Sequence, residues 1–213
     1  MRLKLLACEI FRREISSLTE GLLHHVDVDF LPMDLHAAGR TRRKQRLTEY
    51  LANVDENTYD AVLLASGLCT AGISGFVAGN IPLVIPKAHD CITLFFGCRK
   101  RYQNYFFANG GTYFLTAGWL EQNDALNSET GMMPHYRKIA FIETGTEPDD
   151  SYERQARNIA ESQNWEFEKL FGNLSLLRRL IHGNWDEDFL IIPPGSAIQT
   201  TCNEDVLEIV EKR

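Results

Sequence analysis

The feature that most constrains this chain is the alternation of short, branched apolar runs with longer segments of helical periodicity. Residues 61–65 (Ala-Val-Leu-Leu-Ala) and 81–85 (Ile-Pro-Leu-Val-Ile) are apolar on both faces. A strand tolerates that only when helices cover both sides of its sheet, so these runs predict central parallel strands. Residues 2–8 read as a further buried strand. Residues 25–31 alternate Val26, Val28 and Phe30 with His25, Asp27 and Asp29, the period of two expected near a sheet edge. Phe11, Ile15, Leu18 and Leu22 recur at helical spacing over 11–23. A basic helix follows over 40–51, capped by Thr41, then a Gly-rich turn and short helix between 67 and 79.

The pattern continues with a helix from 91 to 107, a strand at 113–115 and a helix at 119–126. A linker at 127–134 precedes strand 138–142, helix 151–163, strand 167–171, helix 174–182, strand 189–192 and helix 203–212. Repeated βα units imply parallel pairing with crossover helices. The predicted class is therefore α/β: a Rossmann-like parallel sheet flanked by helices, in two similar lobes. A larger lobe spans 1–126 and a smaller one 127–213, with a cleft at the carboxyl ends of the strands.

Composition narrows the function. At 213 residues, 44% hydrophobic and 24% charged, the chain can bury a sizeable core. A net charge of −7 argues against nucleic acid as a partner. Arg99, Lys100 and Arg101 point three ways on a helix, and the basic group from Arg40 to Arg46 reads as a solvated face. No apolar run approaches the roughly 20 residues needed to cross a bilayer. Leu5-Leu6-Ala7-Cys8 copies a lipoprotein processing site, but the apolar stretch before it is too short for a signal segment. Five cysteines, an odd number, fit reduced thiols in a cytoplasmic protein better than a disulfide framework.

In open parallel sheets, ligands bind beyond the carboxyl ends of the strands. The first strand ends at Cys8-Glu9, the second leads to His36, the third to Ser66-Gly67-Leu68-Cys69 and the fourth to His89-Asp90-Cys91. Soft ligands thus follow four strands in succession, suiting Zn²⁺ or, through thiolates alone, an iron–sulfur cluster. The candidate metal ligands are Cys8, Cys69, His89 and Cys91. Each also has a plainer reading, since free cysteine commonly packs as a small hydrophobe. Asp90 equally suits the N-cap of the following helix. Cys98 and Cys202 read as structural.

Candidate catalytic groups are Cys91 as acceptor or nucleophile, His89 as ligand or base, and Glu143 as an acid/base after the strand at 138–142. Gly67 and Gly72, in a Gly-rich turn opening a helix, are candidate cofactor-binding positions, as is Asn173 after the strand at 167–171. That turn matches neither the dinucleotide fingerprint nor the P-loop. Glu143, Asn173 and Pro193-Pro194-Gly195-Ser196 would form the opposite wall of the cleft.

The segments Ala7-Cys8-Glu9-Ile10-Phe11, Phe30-Leu31-Pro32-Met33, Gly67-Leu68-Cys69, Ala88-His89-Asp90-Cys91-Ile92, Gly118-Trp119 and Pro193-Pro194-Gly195 resemble an uncharacterised domain family of bacteria and methanogenic archaea. The resemblance implies an association with corrinoid-dependent one-carbon metabolism, such genes often being encoded beside methyltransferases and corrinoid proteins, with Cys8, Cys69, His89 and Cys91 carried over. The expected activity is zinc-thiolate-assisted transfer of a methyl or one-carbon group, acting on a small-molecule ligand beside a corrinoid protein or methyltransferase. Two alternatives stay open: a non-catalytic accessory binding a metal, cluster or corrinoid, and a metal-free enzyme using the Cys91 thiol.

Overall fold

A computed structural model describes residues 1–32, 40–67, 75–122, 135–200 and 207–210. Strands β1 (Arg2–Cys8), β2 (His25–Leu31), β3 (Ala61–Ala65) and β4 (Leu83–Pro86) are parallel and lie in the order β2-β1-β3-β4. Strand β8 (Phe189–Ile192) joins the edge of β4 antiparallel. Period-two alternation sends β1 side chains both ways. Leu3, Leu5 and Ala7 enter the cluster that packs α1 (Arg12–Thr19) and α7 (Ser175–His182), while Leu6 enters the cluster holding Leu47 and Leu51 of α2 (Arg40–Ala52). All five residues of β3 are buried, as a strand covered on both faces requires. The polar alternation of β2 fits its place at the sheet edge.

A smaller parallel sheet has the order β5-β6-β7, from Thr112–Leu115, Lys138–Glu143 and Glu166–Phe171. Leu115, Ile139 and Phe141 pack against Ala156 and Ala160 of α6 (Ser151–Ser162) and Leu120 of α5 (Ala117–Gln122). Phe114, Ile142 and Leu170 join the main core. There they meet α3 (Cys91–Phe96) and α4 (Arg99–Ala108), with Phe96 and Phe114 edge to face at 5.9 Å. The fold is thus the expected α/β class, with helices flanking two parallel sheets of unequal size. Sheet membership crosses residue 126: β5, before it, pairs with β6, and β8, far beyond it, returns to the larger sheet.

Three local expectations are corrected. The helix expected over 91–107 is two helices, because Gly97 takes a left-handed conformation (φ 66°) that ends α3. The helix expected over 203–212 gives way to strand β10 (Leu207–Val210), antiparallel to β9 (Ala197–Thr200). Thr41 lies inside α2 rather than capping it. Residues 75–79 form no helix, Val77 bridging instead to Ala197, and 68–74 lie outside the described residues. The helix expected at 119–126 runs from Ala117 to Gln122. Among the described residues, no helix is long and apolar enough to cross a membrane.

Among the contacts that join the two sheets and their helices, two carry direct consequences for stability. A Cβ on Gly118, in the first turn of α5, would lie 1.9 Å from the Ile10 carbonyl oxygen, in the 3-10 turn that follows β1. Only glycine permits that approach. Glu14 of α1 is fully buried and projects to the loop after β6, where the Thr144 hydroxyl lies 2.9 Å from its Oε1 and 3.1 Å from Glu147 Oε1. Glu14 Oε2 has no hydrogen-bond partner among the described residues. Burial drives the Glu14 pKa up to about 7, and the nearby Glu147 charge adds to the rise against hydrogen bonds that lower it.

Gly118→Ala is expected to destabilise the chain by about 3 kcal/mol, seen as a lower midpoint in chemical denaturation, because the methyl group meets backbone rather than a yielding side chain. For Glu14, the folded pKa lies above the ordinary carboxyl value. Its stabilising effect is therefore full below pH 4.5 and lost as pH rises through about 7. That loss amounts to roughly 3 kcal/mol. Glu14→Gln should flatten the stability profile over this interval and raise the unfolding midpoint at pH 8. An unchanged slope would refute the assignment.

Candidate functional site

Strands β1, β3 and β4 end together at the carboxyl pole of the larger sheet, β1 and β4 flanking β3. Cys8 closes β1 and is buried; Cys91 opens α3, two turns of chain after β4, and is buried in the same apolar cluster. The connection is made by Gly67. A Cβ there would lie 2.1 Å from the Asp90 carbonyl carbon, 2.3 Å from its Cα and 2.5 Å from the Cys91 nitrogen. The chain leaving β3 therefore lies directly on the Asp90–Cys91 peptide, which no residue with a side chain would allow. The next thiol, Cys69, is two positions further on and lies outside the described residues, as do His36 and Gly72.

Asp90 organises this corner. Its Oδ1 accepts the Thr93 N–H at 3.1 Å as the N-cap of α3 and the Thr93 hydroxyl at 3.2 Å. Oδ2 accepts the Tyr102 hydroxyl and faces His89 Nδ1 at 3.3 Å. The His89 side chain is 69% exposed, whereas Cys91, two residues on in the sequence, is buried. With Nδ1 turned to a carboxylate, Nε2 is the ring nitrogen left for a ligand or proton, the arrangement in which histidine serves metals. So both readings of Asp90 hold at once: it caps the helix and orients the histidine.

The remaining predicted residues serve other contacts. Glu143 Oε1 accepts from Lys169 Nζ at 2.7 Å, and Glu153 accepts from the same ammonium at 2.9 Å. These hydrogen bonds, led by that of Glu143, raise the lysine pKa. Asn173 donates its N–H to the Phe95 carbonyl at 2.8 Å, and its Oδ1 accepts the Ser175 N–H at 2.8 Å, pinning α7 to α3. Pro193-Pro194-Gly195-Ser196 does not face the cleft. Because β8 runs antiparallel to β4, its end meets Leu83 at the opposite pole, where Gly195 N–H bonds the Ala78 carbonyl at 3.0 Å. Cys98 is exposed at the start of α4, and Cys202 lies outside the described residues.

Sequence reasoning missed two features. Glu14 falls on the buried stripe of α1, between Phe11 and Leu18, and a carboxylate at that spacing is itself a signal. The other is a groove of about 440 Å³ beside Asp90, lined by Tyr102, Phe106, Trp119 and the start of β5, with His135 and Tyr136 at its far side. Its aromatic residues come from segments that meet only in the folded chain. A shallower depression of about 170 Å³ beneath α2 contains Glu56, whose two oxygens are taken by the Asn80 N–H and side-chain amide at 2.9 and 2.6 Å. That carboxylate is spent on holding a turn.

Among the described residues, no three His, Cys, Asp or Glu side chains form a metal-holding group, the expected third thiol being Cys69. The described donor types at this pole are two buried cysteine sulfurs and an imidazole hydrogen-bonded to a carboxylate, residue types that soft metals accept. Neither curated proteins nor solved structures gave a match. A family model described as "Protein of unknown function (DUF1638)" matches residues 30–181, a span that contains Gly67, Cys69, His89, Asp90, Cys91 and the aromatic groove. With most of its length matched, the chain belongs to the DUF1638 family.

Proposed function

We propose that the chain is a zinc-thiolate protein of one-carbon metabolism, transferring a methyl or other one-carbon group at the carboxyl pole of its larger sheet. The observation that carries this reading is the contact of Gly67, two residues before Cys69 in the sequence, with the Asp90–Cys91 peptide. Cys8, in the same buried cluster, supplies the third sulfur. Cys8, Cys69 and Cys91 would hold Zn²⁺, with His89 Nε2 at the open edge. Zinc bound there would hold a sulfur as thiolate at neutral pH.

The protein's own groups have separate tasks. Asp90 fixes the histidine tautomer and ties it to Tyr102, so that His89 either ligates or carries a proton at Nε2. The apolar cluster around Cys8 and Cys91 keeps water from the sulfurs, which raises their nucleophilicity in transfer chemistry. Thiolates of this kind need a reducing compartment, so we assign the protein to the cytoplasm. A small-molecule ligand and a corrinoid-bearing or methyltransferase partner would stand on either side of the transfer.

Metal analysis of the full chain, purified anaerobically, tests the proposal. About one zinc per chain is expected, strongly reduced in Cys8→Ser and Cys91→Ser and unchanged in Cys98→Ser, whose residue is exposed. Replacement by Co²⁺ should give thiolate charge-transfer absorption. Protein that holds no zinc after reconstitution would refute the reading, and a visible iron–sulfur spectrum would replace zinc by a cluster on the same thiols.

A further inference from the structure

The groove beside Asp90 has a composition that selects for one kind of ligand. Among the described residues, six of its eleven lining residues are aromatic, Asp90 is the one carboxylate, His135 the one imidazole, and neither lysine nor arginine lines it. Its volume of about 440 Å³ falls in the range of small-molecule sites, roughly 300–1,000 Å³. Tyr102 packs on Phe106 at 5.7 Å and on Phe114 at 6.1 Å, while Tyr113 and Tyr136 meet at 5.2 Å on the other side. Asp90 is held in place by Thr93 and by the Tyr102 hydroxyl.

Ring faces and a carboxylate attract positive charge and disfavour an anion. A hard metal ion is excluded by ligand number: calcium takes about six to eight oxygens, and one carboxylate is on offer. A primary ammonium is strongly hydrated and asks for acceptors that aromatic walls lack. A quaternary ammonium needs only ring faces and a nearby negative charge. Phe106, half exposed at the mouth, is an apolar surface that such a ligand would cover.

We infer that this groove binds a small quaternary ammonium compound, its cationic head among the rings and beside Asp90. The site is built from described residues without Cys8, Cys69 or Cys91, so it does not rest on the metal reading.

Titration of the full chain with choline, followed by calorimetry and by tryptophan fluorescence, tests the inference against 3,3-dimethylbutan-1-ol, the uncharged molecule of the same shape. Choline should bind saturably and about tenfold or more tighter than the alcohol. Asp90→Asn, which keeps a good N-cap, should lose about tenfold in choline affinity while the alcohol is unaffected. Phe106→Ala, at an exposed position, should weaken choline several-fold without loss of fold. Cys91→Ser should bind choline as the unaltered chain does, which separates this result from the fate of the zinc proposal. Equal affinity for the two compounds, or no saturable choline binding, overturns the inference.

Discussion

The approach of Gly67 to the Asp90–Cys91 backbone is the constraint on which the candidate site depends, because it joins the ends of two central strands at one point. Parallel strands deliver their carboxyl ends to a common edge, but an edge is several strands wide, and neighbouring loops normally diverge to make room for side chains. Removing the side chain at one position lets the loop after β3 lie on the turn that starts α3. Ser66 and Cys91 are both buried there, and Asp90 is left at the rim with its carboxylate directed to Thr93, Tyr102 and His89. A turn that had to clear a Cβ would open this corner and lift the chain after β3 off the Asp90–Cys91 peptide.

The second constraint couples the two sheets. Glu14 could have been an apolar residue on the buried stripe of α1, and a carboxyl with one unsatisfied oxygen is a costly choice there. Its neighbours explain the form it takes. In its neutral state Glu14 can share a proton with Thr144, whose hydroxyl also reaches Glu147, while Glu147 in turn accepts the N–H groups of Thr144 and Gly145 at 3.0 and 2.8 Å. The loop after β6 is thereby closed on its own carboxylate, and α1 is attached to it through the Thr144 hydroxyl, with that of Thr146 further off at 3.4 Å. Ionising Glu14 would set two negative groups around the Thr144 hydroxyl, so the joint between the sheets weakens with rising pH.

Much of the fold was legible because its central strands are apolar on both faces. Residues 61–65 could only be a covered strand, and the polar alternation of Asp27 and Asp29 marked β2 as an edge. What was not legible depended on partners distant in sequence. The run of branched residues near 207–210 fits either period until Ala197–Thr200 pairs with it. Gly97 divides a continuous apolar stretch because Asn173 occupies the space where a continuing helix would run. The direction of β8 was hidden for a similar reason. Alternation of strand and helix suggests one more parallel strand, whereas this strand joins the β4 edge of the larger sheet in the antiparallel sense, and Pro193–Ser196 is carried to the far pole. In the candidate site, strand ends located Cys8, Gly67, His89 and Cys91, since the position of a residue after a strand is a sequence property. The ion pair that engages Glu143 and the backbone contacts that engage Asn173 required Lys169 and Phe95 to be in place.

Asp90 links the two chemistries of this pole. One face of its carboxyl group caps α3 and so sets where Cys91 begins the helix; the other meets Tyr102 at the wall of the aromatic groove and His89 at the surface. A ligand whose positive charge rests beside Asp90 would therefore sit within one residue of Cys91 along the chain, and would alter the charge felt by the His89 ring. One carboxylate thereby ties together the wall of the aromatic groove, the first turn of α3 and the exposed imidazole, so a change at any one of them is felt at the other two through Asp90.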